Sequence, residues 1–403
     1  MDIVVTGVGI VSALGIGAGS NLSAIEAGKS GICTSPSVLK TVNALPVGEL
    51  RLTNEELHLL AGVPVGEHLS RTALLGIIAV KEAMADAGIS SDAARGSLSG
   101  SCSQARIGLV SSTSVGGMDL TEHFFRQFVE DDSAGRLRDV KMHDCAASTD
   151  AIRRHCGING YSTTVSTACS SAANAVITGA KLLRHNIVDS VIVGGCDALS
   201  AFTLNGFKSL MILDSGICRP FDANRAGLNL GEGAGYLVLQ RACDVPSGYC
   251  RLAGFSNRND AHHQTASSSA GDGAFLAMSD ALSMAGLTPG DVSYINAHGT
   301  GTGNNDASES AALLRLFGKE VPDFSSTKAF TGHTLAAAGG IEAVLSVLAI
   351  DRGMIYPNLN FEEPIPEYGL VPVLSFAKGE QVGCVLSNSF GFGGNCTSLV
   401  FAR

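Results

Sequence analysis

The sequence predicts an α/β fold of stacked layers, and three observations carry that expectation. Buried-strand runs alternate with helix-period runs from one end of the chain to the other. Apolar residues make up 45% of the 403 positions and charged residues only 16%, enough for a large core and little solvated surface. Glycine occurs 49 times, well above the ~7% of ordinary chains. Such a content points to tight turns and close backbone approaches.

The strands are DIVVTGVGIV, ARIGLVSSTS, TTVSTA, DSVIVGGCDAL and GYLVLQRA, then YCRLAGFS, DVSYINAHG, VGCVLSNSFG and TSLVFAR. Each is a short apolar run bounded by small or polar residues. Between them lie RTALLGIIAVKEAMADAGI, SSAANAVITGAKLLRHNI, GAFLAMSDALSMAGL, DASESAALLRLFG and AAAGGIEAVLSVLAIDRG. These place apolar residues at i, i+3 and i+4, the spacing of a helix face. Several end in Gly, a frequent helix terminator. Two of them, VKEAMADAGI and SDALSMAGL, each follow a loop and precede a strand ending in small residues, which hints at internal duplication. Pro and Gly in ACDVPSGYC interrupt the pattern, so the chain divides there into halves at 1–245 and 246–403. No low-complexity linker separates the halves, and one fused body is expected.

Bulk properties exclude several classes. A net charge of -10 argues against nonspecific nucleic-acid binding, while leaving room for a local basic patch. Eleven cysteines, an odd number with no CxxC pair, fit neither a disulfide framework nor a zinc ribbon. Reduced thiols of a cytoplasmic protein fit better. The start, MDIVVTGVGIVSALG, lacks a basic segment, so no signal peptide is expected. No apolar run approaches ~18 residues, so no membrane span is expected either.

Four phrases can carry chemistry. In VSTACSSAANAV, Cys169 falls between a strand and a helix. A helix N-terminus favours a thiolate and lowers a cysteine pKa from about 8.5 to roughly 3.5–7.5. Cys196 and Cys384, inside or beside apolar strands, read instead as buried structural thiols. In NAHGTGTGNND, His298 ends a strand and opens a Gly/Thr loop carrying the hydroxyls of Thr300 and Thr302. The phrase lacks GxxxxGK(S/T) and is not a phosphate loop. In SSTKAFTGHTLAAAGG, Lys328 and His333 precede a small-residue helix. Lys328, set among apolar residues, calls for a buried partner, with Glu309 a candidate. The two histidines lack a third ligand for zinc, and His262 and His263 have no matching spacing. In NSFGFGGNC, glycines around Phe390 and Phe392 suit a tight turn that presents N–H groups as half of an oxyanion hole. TGVGIVSALG and NLGEGAG fail the dinucleotide fingerprint and read as turn and packing glycines.

No single phrase is diagnostic. Taken together, TAC, AHGTGT, STK with GH, and GFGG resemble the β-ketoacyl-[acyl-carrier-protein] synthases of the thiolase superfamily, most of all the bacterial 3-oxoacyl-ACP synthase 2 type. CRPFDANRAGLNLGEGAGYLVL is a further phrase of that family, and the resemblance runs from VVTGVGIVSALG to SLVFAR. It implies a duplicated five-layered α-β-α-β-α thiolase fold and a dimer.

The resemblance also implies roles. Cys169 is the nucleophile that takes an acyl group from acyl-carrier protein as a thioester. His298 and His333 assist decarboxylation of malonyl-carrier and stabilise the enolate. The Cys169 and Phe392 amides form the oxyanion hole. Lys328, paired with Glu309, supports the histidines electrostatically, and Asp306 is a nearby acid. Thr300, Thr302 and Thr265 hold the phosphopantetheine arm. Lys208 and Arg71 are basic contacts for the acidic carrier. No bound prosthetic group is implied. The chain departs from the family at Asn395–Cys396, where Thr–Asn is more usual, and across 119–160, a region that shapes the dimer contact and acyl pocket. The loop ILDSGICRP is also short. These differences leave open a fatty-acid or a polyketide (polyene-type) pathway. A non-catalytic chain-length-factor partner would share the fold but usually replaces the cysteine. A related alternative is the active half of a heterodimer with such a partner. A cysteine hydrolase would need one base and an orienting acid, which two histidines and a lysine do not match.

Overall fold

The computed structural model describes residues 2–39, 45–90 and 106–403. Ala105, which opens one expected strand, lies outside them. The strands are β1 (Ile3–Ser12), β2 (Ile107–Ser112), β3 (Ser162–Val165), β4 (Ser190–Asp197) and β5 (Gly233–Arg241), then β6 (Cys250–Asn259), β7 (Tyr294–Asn296), β8 (Asp323–Ser325), β9 (Cys384–Gly391) and β10 (Asn395–Ala402). The helices that place the site are α1 (Arg71–Asp86), α2 (Cys145–His155), α3 (Ser171–Arg184), α4 (Asp272–Ala285), α5 (Gly303–Phe317) and α6 (Ala338–Arg352).

The hinted duplication is real at the level of topology. The first half-sheet runs β1-β5-β4-β2-β3 and the second β6-β10-β9-β7-β8. Numbered within each half, both read first, fifth, fourth, second, third. The directions repeat as well: the pairs involving the fifth strand are antiparallel, while the second strand pairs in parallel with the third and the fourth. The half-sheets meet where Val4 and Val5 of β1 pair with Arg251 and Cys250 of β6.

The two echoing helix phrases are α1 and α4, the equivalent helices packed on the first strand of each half. Their approach explains glycines that carry no nucleotide. A Cβ on Gly9 of β1 would stand 2.0 Å from the Ala79 carbonyl oxygen of α1. On Gly254 of β6 it would stand 2.1 Å from the Ala281 carbonyl oxygen of α4. Only glycine lets the helices lie this close.

α3 and α6 are the equivalent inner helices. α6 touches both half-sheets and α3. Every residue from Ala338 to Ile350 is buried, so its apolar surface wraps all round rather than forming one stripe. α4 and α6 end on left-handed glycines, Gly286 and Gly353, as the sequence suggested.

Some helices lacked a readable pattern. Met118–Glu130 buries none of its residues. Ala201–Ser209 buries only Thr203 and Leu204. α5 begins earlier than its apolar run, because Thr302 caps it by accepting the Asn305 N–H at 3.3 Å.

Candidate active site

The repeated topology places the site. Cys169 follows β3, the third strand of the first half. Lys328 and His333 follow β8, the third strand of the second half. His298 follows the neighbouring β7, and Phe392 lies in the β9–β10 hairpin. Cys169, His298, His333 and Phe392 line one cavity of ≈ 160 Å³, with Thr300, Thr302 and Thr265 on its wall.

Cys169 is 6% exposed and directly precedes Ser170, the residue at the start of α3. Ala168 holds a left-handed φ of 53°, the strained step of a nucleophile elbow. Ser171 braces it by donating to the Ala168 carbonyl and accepting the Thr167 N–H at 2.8 Å. The expected low thiol pKa is not realised. Burial pushes the thiol up to about 11, although Lys328 and the Phe392 and Cys169 amides favour the thiolate. Helix-start amides do not outweigh the loss of water around the sulfur. The Phe392 amide reaches the sulfur.

His298 and His333 are each 2% exposed, with ring centroids 5.4 Å apart and planes at 87°. Burial and the nearby Lys328 hold both well below the ordinary histidine range, so both rings are neutral. The Leu335 N–H donates to His333 Nδ1 at 3.1 Å. Lys328 Nζ lies 3.2 Å from His298 Nδ1. An ammonium has only donors, so each Nδ1 accepts and each ring carries its proton on Nε2. Backbone holds His333 in place: its N–H donates to the Asn229 carbonyl at 2.7 Å and its carbonyl accepts the Gly231 N–H at 2.9 Å. The phrase containing NLGEGAG thus cradles the His333 loop.

Further sequence expectations need correction. Lys328 pairs with Glu342 of α6, not with Glu309. Glu309 instead accepts the His298 and Gly299 amides at 2.9 and 2.8 Å and the Asn388 side chain at 3.1 Å. Asp306 likewise accepts the Thr300 and Phe221 amides at 2.9 and 2.7 Å. Neither carboxylate lines the cavity; both shape the loop that aims His298. Burial pushes Glu309 and Glu342 up to about 7.

Arg71 is 4% exposed and cannot meet a carrier. It forms a bidentate pair with Glu232 at 2.7 and 2.9 Å and donates to the Leu50 and Leu52 carbonyls. Lys208 is exposed on Ala201–Ser209, the helix whose Phe207 lines the cavity and stacks on Phe392 at 5.9 Å. Thr300 and Thr302 share a 2.9 Å hydroxyl contact, and Thr265 is exposed at the mouth.

Glu342 was missed, yet it left a signal: it is the one charged residue within AAAGGIEAVLSVLAI. Asp197 left none. This buried carboxylate ends β4 and accepts the Ser114 N–H at 3.0 Å and the Ala336 N–H at 2.8 Å, tying the two halves together beside the site. The described cysteines are all free thiols. Among the described residues no helix is long and apolar enough to cross a membrane.

Comparisons with known proteins identify the family. Residues 1–244 match the N-terminal domain of β-ketoacyl synthase and residues 249–362 its C-terminal domain. The chain is 30% identical to 3-oxoacyl-[acyl-carrier-protein] synthase 2 of Staphylococcus aureus (strain COL), covering 100% of this chain and 98% of that protein. It is 32% identical to the tetracenomycin polyketide synthase ketoacyl synthase alpha subunit of Streptomyces glaucescens, covering 100% and 97%. A solved ketosynthase in complex with its chain length factor, from Xenorhabdus doucetiae, superposes with a TM-score of 0.85 at 31% identity over 100% of this chain and 98% of that one. The fold is therefore the duplicated thiolase-like one, and the chain belongs to the β-ketoacyl synthase family.

Proposed function

We propose that this chain is a 3-oxoacyl-[acyl-carrier-protein] synthase that lengthens a fatty-acid or polyketide chain by two carbons. The observation that carries the reading is the convergence of a buried cysteine, two neutral imidazoles and a turn amide on one small cavity. The carrier thioester exchanges with Cys169: the sulfur–acyl bond forms, the carrier sulfur leaves, and it takes the thiol proton. Malonyl-carrier then loses CO₂. The two Nε2–H groups stabilise the enolate oxygen without a metal. The enolate carbon attacks the acyl carbonyl, whose oxyanion sits between the Cys169 and Phe392 amides. Collapse expels Cys169 as a thiolate, which takes a proton from solvent, leaving the β-ketoacyl group on the carrier.

The roles divide by contact. Cys169, His298, His333 and the Phe392 amide act on reacting atoms. Lys328, with Glu342, polarises the site, while Glu309 and Asp306 position the loop. Thr300, Thr302 and Thr265 line the route for the phosphopantetheine arm, the only carrier of the substrates; no prosthetic group is needed. Lys208 meets the acidic carrier. We place the boundary between halves at 245/246, between β5 and β6, and the protein in the cytoplasm. It works as a dimer. β3, one of the two terminal strands of the sheet, pairs on one edge only among the described residues, and its other edge is where we place a second copy or a homologous non-catalytic subunit. One structural neighbour is a ketosynthase in complex with its chain length factor; the presence of Cys169 favours this chain as the active half of any such pair.

The test is product analysis with acyl-carrier chains of varied length and unsaturation, read beside intact-protein mass. We expect an acyl adduct that Cys169→Ala abolishes, and a β-ketoacyl product two carbons longer. An adduct that persists in Cys169→Ala, or release of free acid without condensation, would overturn the assignment.

A further inference from the structure

Asn395 closes the hairpin that carries Phe392. β9 and β10 pair Gly391 with Asn395, leaving Phe392, Gly393 and Gly394 as the turn. The Asn395 side chain also reaches the nucleophile helix. Its Oδ1 lies 2.6 Å from Ser170 Oγ and 2.9 Å from Asn174 Nδ2. Asn257 of β6 adds a donor at 2.7 Å. Asn257 and Asn174 are themselves held by Thr397 Oγ1, at 2.7 and 3.1 Å. Ser170 follows Cys169 directly, so one side-chain oxygen links the neighbour of the nucleophile to the residue that ends the Phe392 turn.

We propose that Asn395 is a positioning residue for acyl transfer: it sets the separation of the Cys169 and Phe392 amides so that both meet one oxyanion. The inference rests on the proposed function above. The two amides belong to distant chain segments, yet both must lie about 2.7–3.1 Å from the same oxygen. Hairpin pairing fixes Phe392 relative to β9 and β10, not relative to α3. The backbone contact at Gly391 is close, since a Cβ there would stand 3.0 Å from the Thr167 carbonyl and 3.2 Å from the Cys169 nitrogen. That contact sets distance but no direction. The hydrogen bonds of Asn395 are directional, and an amide oxygen provides them without placing a charge beside the developing oxyanion.

The test separates the two half-reactions. Asn395→Ala, Ser170→Ala, the double variant and Asn395→Thr are compared for Cys169 acylation by acyl-carrier, followed by mass. Decarboxylation of malonyl-carrier is followed in a Cys169→Gln background. We expect Asn395→Ala to slow acylation about tenfold or more, a partial loss of oxyanion stabilisation. Decarboxylation should fall less than about threefold, because it depends on the histidines. The double variant should be little worse than the more damaging single one, as for residues acting through one contact. Asn395→Thr, which keeps one acceptor oxygen, should recover part of the acylation rate. Parallel loss of both half-reactions, additive single effects, or unchanged acylation of Asn395→Ala where the wild type is itself acylated would overturn the role of Asn395 alone. A wild type that is neither acylated nor able to release CO₂ would overturn the functional reading, and this inference with it.

Discussion

Lys328 Nζ stands 3.2 Å from His298 Nδ1 and 2.6 Å from the His298 carbonyl oxygen, with Glu342 completing its shell. One buried ammonium therefore fixes the tautomer, orientation and neutrality of an imidazole. This contact makes His298 a hydrogen-bond donor toward the cavity rather than a base.

Removing that ammonium should release the imidazole. In Lys328→Met, the His298 pKa should rise, because the Lys328 charge is one of the influences holding it down. Decarboxylation should fall by about 100-fold as the donor loses its orientation. Histidine ring NMR titration and CO₂ release measure the two effects, with circular dichroism as the folding control. An unshifted ring titration would refute the electrostatic role.

Cys169 reactivity should rise steeply with pH. A thiol pushed up to about 11 is protonated at neutral pH, and the thiolate is the reacting form. Its fraction grows about tenfold per pH unit below that pKa, so alkylation by iodoacetamide should climb without a plateau through about pH 9. A plateau near pH 7 would show the low-pKa thiolate that a helix start alone suggests. Lys328→Met, lacking the favourable charge, should react more slowly at any pH in this window.

Arg71 should behave as a structural residue. Breaking its buried pair with Glu232 by Arg71→Ala should cost about 3–5 kcal/mol of stability, read by denaturant unfolding. The KM for carrier in the folded fraction should change little. Lys208→Glu should instead raise KM for carrier in a salt-dependent way.

The inner helix should tolerate no added methyl. A Cβ on Gly340 of α6 would stand 2.4 Å from the Gly235 carbonyl oxygen of β5. Gly340→Ala should therefore destabilise by about 1–3 kcal/mol. Gly206→Ala, on an exposed helix where an added Cβ would meet no other element among the described residues within 4 Å, should instead stabilise by up to ~1 kcal/mol. Denaturant midpoints of the pair give the comparison.

What the sequence determined by itself was the layered fold, its two halves and the four phrases of the site. Those features are local: strand and helix periods, a cysteine between a strand and a helix, glycines at turns. It also carried the chemistry, since a cysteine, two histidines and a glycine turn are recognisable as residue types. Tertiary structure decided the partners and the protonation states. Lys328 joins Glu342 rather than Glu309 because α6 runs back between the half-sheets and presents that carboxylate. Arg71 looks like a surface cation in sequence, but α1 packs its first turn inward onto Glu232. The Cys169 thiol is raised rather than lowered because burial, a property of the whole fold, outweighs the few amides at a helix start. Pairing and desolvation depend on groups far apart in the chain, and no local pattern records them.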